Sequence, residues 1–105
     1  PVLLVGLGGI YAEVFDDVAI GPLTDNVDVA KRQIASLKGQ RLLAGVRGED
    51  PSDIQALAEL MVSLSKFAAQ HGADIQEIDL NPVVVHGVGD GVSIVDALIT
   101  RKAPN

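Results

Sequence analysis

The fold follows from the stretch Glu77-Ile78-Asp79-Leu80-Asn81-Pro82, which precedes a valine run, a glycine-rich turn and Val92-Ser93-Ile94-Val95-Asp96-Ala97. Successive side chains on a strand point to opposite faces. Glu77, Asp79 and Asn81 are therefore predicted to share a polar face, and Ile78 and Leu80 an apolar one. The pattern predicts a β-hairpin over about residues 75–86 and 91–99, with one face toward a core and the other toward solvent or a ligand.

The register of this hairpin brings two oxygen-bearing side chains together. If residues 86–91 form the loop and Val85 faces Val92, Asn81 lies directly opposite Asp96. Facing side chains have Cβ atoms about 4.5–5.5 Å apart. Mg²⁺ prefers oxygen ligands and takes only one or two from protein, the rest coming from water and substrate phosphates. The pattern therefore predicts a metal–nucleotide site at Asn81 and Asp96, with Asp79 as a further candidate ligand.

The same residues have a plainer interpretation. Asn-Pro commonly marks a turn or the end of a strand, and polar–apolar alternation describes the solvated face of any half-buried strand. A slip of one residue in the register would place Asn81 and Asp96 on different faces. Spacing alone leaves both interpretations open.

The composition restricts the function. The chain has 8 Lys and Arg against 14 Asp and Glu, a net charge of −6, and no basic stripe for binding nucleic acid. It has no cysteine, which is compatible with a reducing compartment. No apolar run approaches the ~20 residues of a membrane span, and the start lacks the charged region of a signal peptide. We expect a cytoplasmic protein that binds neither nucleic acid nor membrane.

Residues 1–105 are expected to form a single unit, part of a longer protein. Pro1 leads at once into the apolar run Val2-Leu3-Leu4-Val5, which is typical of a buried strand. A strand separated from its original neighbours leaves an unpaired edge. Pairing between two copies of the chain through such edges, giving a homodimer, is therefore a further expectation.

The remaining elements follow from periodicity and breakers. A strand over residues 2–6 and a glycine turn precede a long alternating strand from Ile10 to Gly21-Pro22. A helix begins after the competent caps Thr24, Asp25 and Asn26, and ends at Gly39. A second helix opens at Pro51-Ser52, where Ser52 and Gln55 have capping-box spacing, and closes at Gly72. The order β-β-α-α-β-β predicts an α/β (α+β) fold with helices on a small mixed or antiparallel sheet.

Four residues outside the hairpin are candidates for binding nucleotide or phosphate. Gly8 and Gly9 lie in a turn whose amides can form an anion nest, although Tyr11 and the alternating strand exclude a dinucleotide-binding helix. Glu13 can face the same cleft as Asn81, and the planar guanidinium of Arg47 suits a phosphate or acyl group. Each has an ordinary alternative, a bare turn or a solvated charge.

Five blocks of sequence stand in order along nearly the whole chain: Gly6-Leu7-Gly8-Gly9-Ile10-Tyr11-Ala12-Glu13-Val14, Asp17-Val18-Ala19, Leu43-Ala44-Gly45-Val46-Arg47-Gly48, Glu77-Ile78-Asp79-Leu80-Asn81-Pro82 and Val95-Asp96-Ala97. Together they resemble the C-terminal half of the ATP-grasp domain of NDP-forming acyl-CoA synthetases, relatives of the succinyl-CoA synthetase β subunit and of ADP-forming acetyl-CoA synthetases. The resemblance implies that Asn81 and Asp96 hold Mg²⁺ on the phosphates of ATP or ADP. One departure is that Ile20-Gly21-Pro22 is shorter than the family's segment.

The implied reaction converts acyl-CoA, phosphate and ADP into free acid, CoA and ATP through a phosphohistidine. That histidine lies in another domain of the family, so the resemblance assigns no catalytic residue here and no such role to His71 or His86. The implied partners are the remaining ATP-grasp half and the CoA-binding and ligase domains, without which the chain should be inactive. Two alternatives stay open: a nucleotide- or acyl-CoA-sensing module of a protein lysine acetyltransferase, and a non-catalytic α+β oligomerisation module.

Overall fold

The computed structural model describes residues 1–8, 17–45 and 51–103. Along these ranges the elements are β1 Val2–Gly6, β2 Val18–Pro22, α1 Val27–Ala35, α2 Gln40–Leu43, α3 Ile54–His71, β3 Ile75–Leu80, β4 Val83–Val85, β5 Val92–Ile94 and β6 Ala97–Arg101. The described strands form three two-stranded antiparallel sheets, β1–β2, β3–β6 and β4–β5. The predicted α+β class is confirmed, with the short α2 added between the two main helices.

The core lies between α1, α3 and the inner face of the β1–β2 sheet. Ala30 and Ile34 are four residues apart and share one buried stripe of α1, which packs on α3. Leu3 enters the same cluster because alternation turns it to the inner face of β1. The buried residues of α3 are Leu57, Ala58, Met61, Val62 and Ser65. This cluster fixes the two sheets that contact α1 and α3.

Asn26 starts α1. Its side-chain Oδ1 accepts hydrogen bonds from the backbone N–H groups of Asp28, at 2.8 Å, and Val29, at 3.4 Å. Thr24 Oγ1 in turn accepts from the N–H of Asn26 at 3.0 Å. The structure thus selects one of the three predicted caps, and the reason is that only this side chain reaches the orphan amides of the first turn.

Replacing Asn26 with Ala should lower the free energy of unfolding by about 1 kcal/mol, the usual effect of losing an N-cap. In a domain of this size that corresponds to a fall in Tm of about 4–8 °C. Asp25→Ala is the matched control, because Asp25 is exposed and adjacent but does not cap the helix. Equal effects of the two substitutions, measured by thermal denaturation, would contradict the assignment.

The predicted end of α1 at Gly39 is wrong, because the helix ends at Ala35 with Ser36 as its C-cap. The buried carboxylate of Asp17 accepts hydrogen bonds from the N–H groups of Lys38 and Gly39, both at 2.7 Å. These bonds hold residues 36–39 as a turn against the start of β2. A long-range carboxylate therefore overrides the local glycine signal.

The predicted capping box at Ser52 is also wrong. Asp53 is the N-cap of α3, its Oδ1 accepting from Ala56 N–H at 3.1 Å. Gln55 instead donates from Nε2 to Glu59 on the next turn of α3, at 3.0 Å. The predicted close of this helix at Gly72 is confirmed, since α3 ends at His71 with Gly72 as C-cap.

The C-terminal hairpin has the predicted register but not the predicted continuity. Val85 pairs with Val92 and Val83 with Ile94 in the β4–β5 sheet. The β3–β6 sheet continues the same register, pairing Leu80 with Ala97. Between the two sheets each arm is interrupted, at Asn81-Pro82 on one side and at residues 95–96 on the other. The hairpin is therefore one antiparallel ribbon with a break in its middle.

Candidate metal and nucleotide site

Asn81 and Asp96 face each other at the break in the ribbon. The N–H of Asn81 donates to the backbone carbonyl of Asp96 at 3.0 Å, and the N–H of Val95 donates to the carbonyl of Pro82 at 3.0 Å. The Asn81–Pro82 peptide bond is cis. These main-chain contacts confirm the register in which Asn81 lies opposite Asp96.

The apolar side of the ribbon changes at this point. After the irregularity between Ile75 and Glu77, the half-buried residues of β3 are Ile78 and Leu80, at even positions. In β4 the half-buried residues are Val83 and Val85, at odd positions. A regular strand cannot do this, because its side chains alternate strictly. Asn81 and Pro82, both exposed, occupy the change of face. The two candidate ligands thus lie at a solvent-facing step between two sheets, where a ligand can approach.

The donor set at this step fits a hard cation. Asn81 offers an amide oxygen and Asp96 a carboxylate, and both residues are exposed. Asp96 Oδ1 accepts from the N–H of Ala97 at 2.9 Å, a contact that fixes the carboxylate beside the strand. Asp79 is exposed on β3, two residues before Asn81, and pairs with Leu98. Oxygen ligands in this small number match what Mg²⁺ takes from protein when phosphates supply the rest.

Side chains alone do not form a complete metal cage in the described part of the chain. Across residues 1–8, 17–45 and 51–103 there is no group of three or more His, Cys, Asp or Glu side chains placed to hold a metal ion. A pair consisting of an amide and a carboxylate is therefore an incomplete set of ligands. A metal ion held there would take its remaining ligands from water or phosphate.

Asp53, the N-cap of α3, also anchors the far end of the ribbon. Its Oδ2 accepts from the N–H groups of Gly89 at 3.1 Å and Gly91 at 2.9 Å, in the β4–β5 turn. Its own N–H donates to the carbonyl of His86 at 2.7 Å. One residue therefore caps α3 and fixes the turn of the hairpin to it.

The charge state of Asp53 reflects these contacts. The N–H of Ala56 has the largest effect and the N–H of Gly91 the next, and with Gly89 they hold the pKa of the carboxyl below its ordinary value of 3.8, against the opposing effect of burial. Asp53 is therefore an anion at neutral pH. A carboxylate that accepts three backbone N–H groups is a fixed point from which the ribbon extends toward Asn81 and Asp96.

Of the four residues predicted to bind nucleotide or phosphate outside the hairpin, the structure describes only Gly8. Gly8 is exposed after β1, and a Cβ there would meet no atom within 4 Å, so packing does not require glycine at this position. The N–H of Leu7 donates to the carbonyl of Asp17 at 3.2 Å, which closes the base of the β1–β2 hairpin. Gly9, Glu13 and Arg47 lie outside the described residues. Their binding roles stay predictions from sequence.

The two histidines make local contacts. His86 Nε2 and Ser93 Oγ are hydrogen-bonded at 2.7 Å across β4 and β5. The ring of His71 packs against Phe67 with centroids 4.6 Å apart at the end of α3. Phe67 itself is 40% exposed. Neither contact resembles a metal-ligand or nucleophile arrangement.

The fold agrees with what comparison with known proteins shows. The family model described as "ATP-grasp domain" matches residues 1–100, and the chain belongs to this family. The predicted resemblance is confirmed at this level. Helices in the described ranges lack the combination of length and apolar character needed to cross a bilayer.

The similar proteins are acid–CoA ligases. The chain is 46% identical over 101 residues to the 4-hydroxybutyrate–CoA ligase [ADP-forming] of Nitrosopumilus maritimus, covering 94% of this chain and 14% of that protein. It is 40% identical over 102 residues to the acetate–CoA ligase [ADP-forming] II subunit beta of Pyrococcus furiosus, covering 95% of this chain and 42% of the subunit. The chain thus spans less than half the length of these curated relatives.

A solved structure shares the fold. It is dinucleotide forming acetyl-coenzyme A synthetase 1 of Ca. Korarchaeum cryptofilum, in complex with coenzyme A and Mg-AMPPCP, with its phosphohistidine segment pointing towards the nucleotide binding site. The TM-score is 0.85 with 32% sequence identity, over 97% of this chain and 46% of that one. The present chain is therefore an ATP-grasp region of the kind found in ADP-forming acyl-CoA synthetases.

Proposed function

We propose that this chain is the magnesium- and nucleotide-binding part of an ADP-forming acyl-CoA synthetase. The observation that carries the proposal is the pairing of Asn81 with Asp96 across the exposed step of the ribbon. The similar Korarchaeum synthetase was solved with Mg-AMPPCP, a magnesium complex of an ATP analogue. Hard oxygen donors, exposure and family membership support the same cation here.

The residues of this chain have positioning roles in the proposed site. Asn81 and Asp96 would hold Mg²⁺ from the protein side, with the exposed Asp79 two residues before Asn81 in the sequence. Asp53 holds the hairpin turn of the ribbon to α3. This contact limits movement of the ribbon and so helps to keep the paired ligands in place. When bound, the cation would neutralise charge on the nucleotide phosphates and orient them. Phosphoryl transfer needs this kind of positioning, and it asks for no covalent group from this segment.

The wider reaction belongs to other parts of the assembly. We propose that the phosphoryl group moves between a phosphohistidine of another domain and ADP or ATP held here, and that the chain alone has no ligase activity. The partners would be the rest of the ATP-grasp domain and the CoA-binding and ligase domains. The matched relatives are much longer than this chain, which supports such partners.

Two predicted alternatives remain weaker. The acetyltransferase sensor would use the same nucleotide site, but the similar proteins described above are ligases. The oligomerisation module would leave Asn81 and Asp96 as ordinary surface residues. A cytoplasmic location is retained as a prediction from composition.

The proposal is tested by titrating Mg²⁺ into the chain with and without ADP, following backbone amide signals by NMR. We expect weak binding of Mg²⁺ alone and clearly stronger binding with ADP, because the nucleotide supplies most of the ligands. The largest shifts should fall at Asn81, Asp96 and Ala97. Asp90, an exposed carboxylate in the distant turn, is the internal control. Shifts that are largest at Asp90, or that do not depend on ADP, would refute the proposed site.

A further inference from the structure

The turn of the C-terminal hairpin contains a dipeptide that can rearrange chemically without an enzyme. Asp90-Gly91 is the one place in the 105-residue sequence where an Asp or Asn precedes a Gly. Glycine has no Cβ to shield its backbone nitrogen, so this nitrogen can reach the carboxyl carbon of the preceding side chain. The turn itself requires glycine here, because Gly91 has a φ of 79°. Asp90 is exposed to solvent, so water has access to its side chain.

The rearrangement converts aspartate to isoaspartate through a cyclic imide. The nitrogen of Gly91 forms a bond to Cγ of Asp90 and loses its proton. One carboxyl oxygen leaves as water, with that proton and one from solvent. Water then adds to a carbonyl of the imide and opens it. Opening at the main-chain carbonyl returns the chain through the side-chain carboxyl, with an additional CH₂ group in the backbone. Water is the only co-reactant.

The fold holds this dipeptide by three hydrogen bonds. The N–H of Asp90 donates to the carbonyl of Gly87 at 2.9 Å, and the carbonyl of Gly91 accepts from the N–H of His86 at 3.0 Å. The N–H of Gly91 donates to Asp53 Oδ2 at 2.9 Å. The proton that must be lost on ring closure is therefore the proton that Asp53 binds. Ring closure has to break this contact, while the other two bonds keep the neighbouring backbone in place.

The charge of Asp53 also opposes ring closure. The attacking form of the Gly91 nitrogen has lost its proton and carries negative charge. Asp53 is an anion at neutral pH, since its backbone hydrogen bonds hold its pKa below the ordinary value. A carboxylate in contact with the N–H stabilises the protonated nitrogen and disfavours a second negative charge beside it. The contact therefore lowers the reactivity of the nitrogen as well as its mobility.

We infer that Asp90 is a site of isoaspartate formation, and that Asp53 protects it while the hairpin turn is held to α3. Opening of the turn frees the nitrogen of Gly91 and permits the reaction. The additional CH₂ group would then displace Gly91 from Asp53, so the modified turn loses part of its anchor. The inference depends on the turn and its contacts and is independent of the magnesium site.

The test measures the rate of isoaspartate formation at residue 90 by mass spectrometry of peptides, with fragmentation that distinguishes the two isomers. The 105-residue chain is incubated at neutral pH, below the Tm of every variant. Folded wild type should react at least about tenfold more slowly than the same chain unfolded in guanidinium, because only the open turn reacts. Asp53→Asn should react about tenfold faster than wild type, since the N–H of Gly91 loses its carboxylate acceptor.

Asn26→Ala is the matched control. It removes the cap of α1 and leaves the contacts of the hairpin turn intact. Its rate should stay within about twofold of wild type, because opening of the turn does not require α1 to unfold.

Three results would overturn the inference. Equal rates for folded and unfolded wild type would show that the contacts give no protection, a comparison that holds even if Asp53→Asn does not fold. A slower rate in Asp53→Asn would show that the carboxylate removes the proton of Gly91 and promotes ring closure. Equal increases in Asn26→Ala and Asp53→Asn would assign the protection to the whole fold. Loss of magnesium binding would refute the proposed function and leave these rates unchanged.

Discussion

Asp96→Asn in the complete gene product should lower Mg²⁺-dependent nucleotide turnover by about 100-fold or more. The substitution replaces a charged oxygen ligand with a neutral one at the proposed cation site. Changing residues that only support a metal ligand typically costs 10–100-fold in metal affinity or activity. Removing the charge of a direct ligand should cost at least as much. The measurement is steady-state ADP turnover over a range of Mg²⁺ concentrations.

The fold should survive this change. Asp96 is exposed, and among the described residues its side chain accepts a hydrogen bond from the N–H of Ala97. The amide oxygen of Asn can accept the same bond. We therefore expect Tm to stay within about 2 °C of the wild-type value, so that a loss of turnover reports on the site.

Asp90→Asn and Asp79→Asn provide the comparison series. Asp90→Asn removes one negative charge in the hairpin turn, away from Asn81 and Asp96, and should leave turnover unchanged. Asp79→Asn, two residues before Asn81, should give an intermediate loss if Asp79 contributes to the site. Equal losses for Asp96→Asn and Asp90→Asn would mean that net charge, not coordination, is responsible. Unchanged turnover of Asp96→Asn would remove Asp96 from the site.

The Asn81–Asp96 pairing could be predicted because it depends on local information. Alternation defines the two arms, the glycine-rich turn limits the loop, and an antiparallel register then fixes every facing pair. The observed pairing of Val85 with Val92 is the one that this reasoning required. The hairpin was predicted as continuous, and its break falls at Asn81-Pro82, where the alternative interpretation places a turn or the end of a strand.

The anchoring carboxylates could not be predicted in the same way. Asp17 binds amides 21 and 22 residues away, and Asp53 binds amides 36 and 38 residues away. No periodicity or capping rule reports on contacts at such separations. The capping box at Ser52 fits the local sequence. Asp53 is the cap instead, because its carboxylate accepts hydrogen bonds from the N–H groups of both the helix and the hairpin turn. Tertiary contacts decide between caps that the sequence leaves nearly equal.

The second prediction with a large effect follows from that double role: Asp53→Asn should destabilise the chain, with a fall in Tm on the order of 10 °C. The amide has a single acceptor oxygen, so if it caps α3 its NH₂ group faces the N–H groups of Gly89 and Gly91. Donors opposed to donors leave the N–H groups of Gly89 and Gly91 without an acceptor in this part-buried contact. Hydrogen exchange should show lost protection at Gly89 and Gly91. Ser52→Ala is the control. A fall in Tm as large as that of Asp53→Asn would show that Ser52, as in the predicted capping box, caps α3.

The effect of Asp53→Asn should also depend on pH in one direction. Because the folded-state pKa of Asp53 lies below its ordinary value of 3.8, the carboxylate contributes stability that is fully present above that value. The contribution is lost as pH falls through the ordinary value toward the lower folded-state pKa. The difference in Tm between wild type and Asp53→Asn should therefore be constant from about pH 7 to pH 5 and shrink below about pH 4. A difference that stayed constant or grew in acid would show that the carboxylate charge does not hold the turn to the helix.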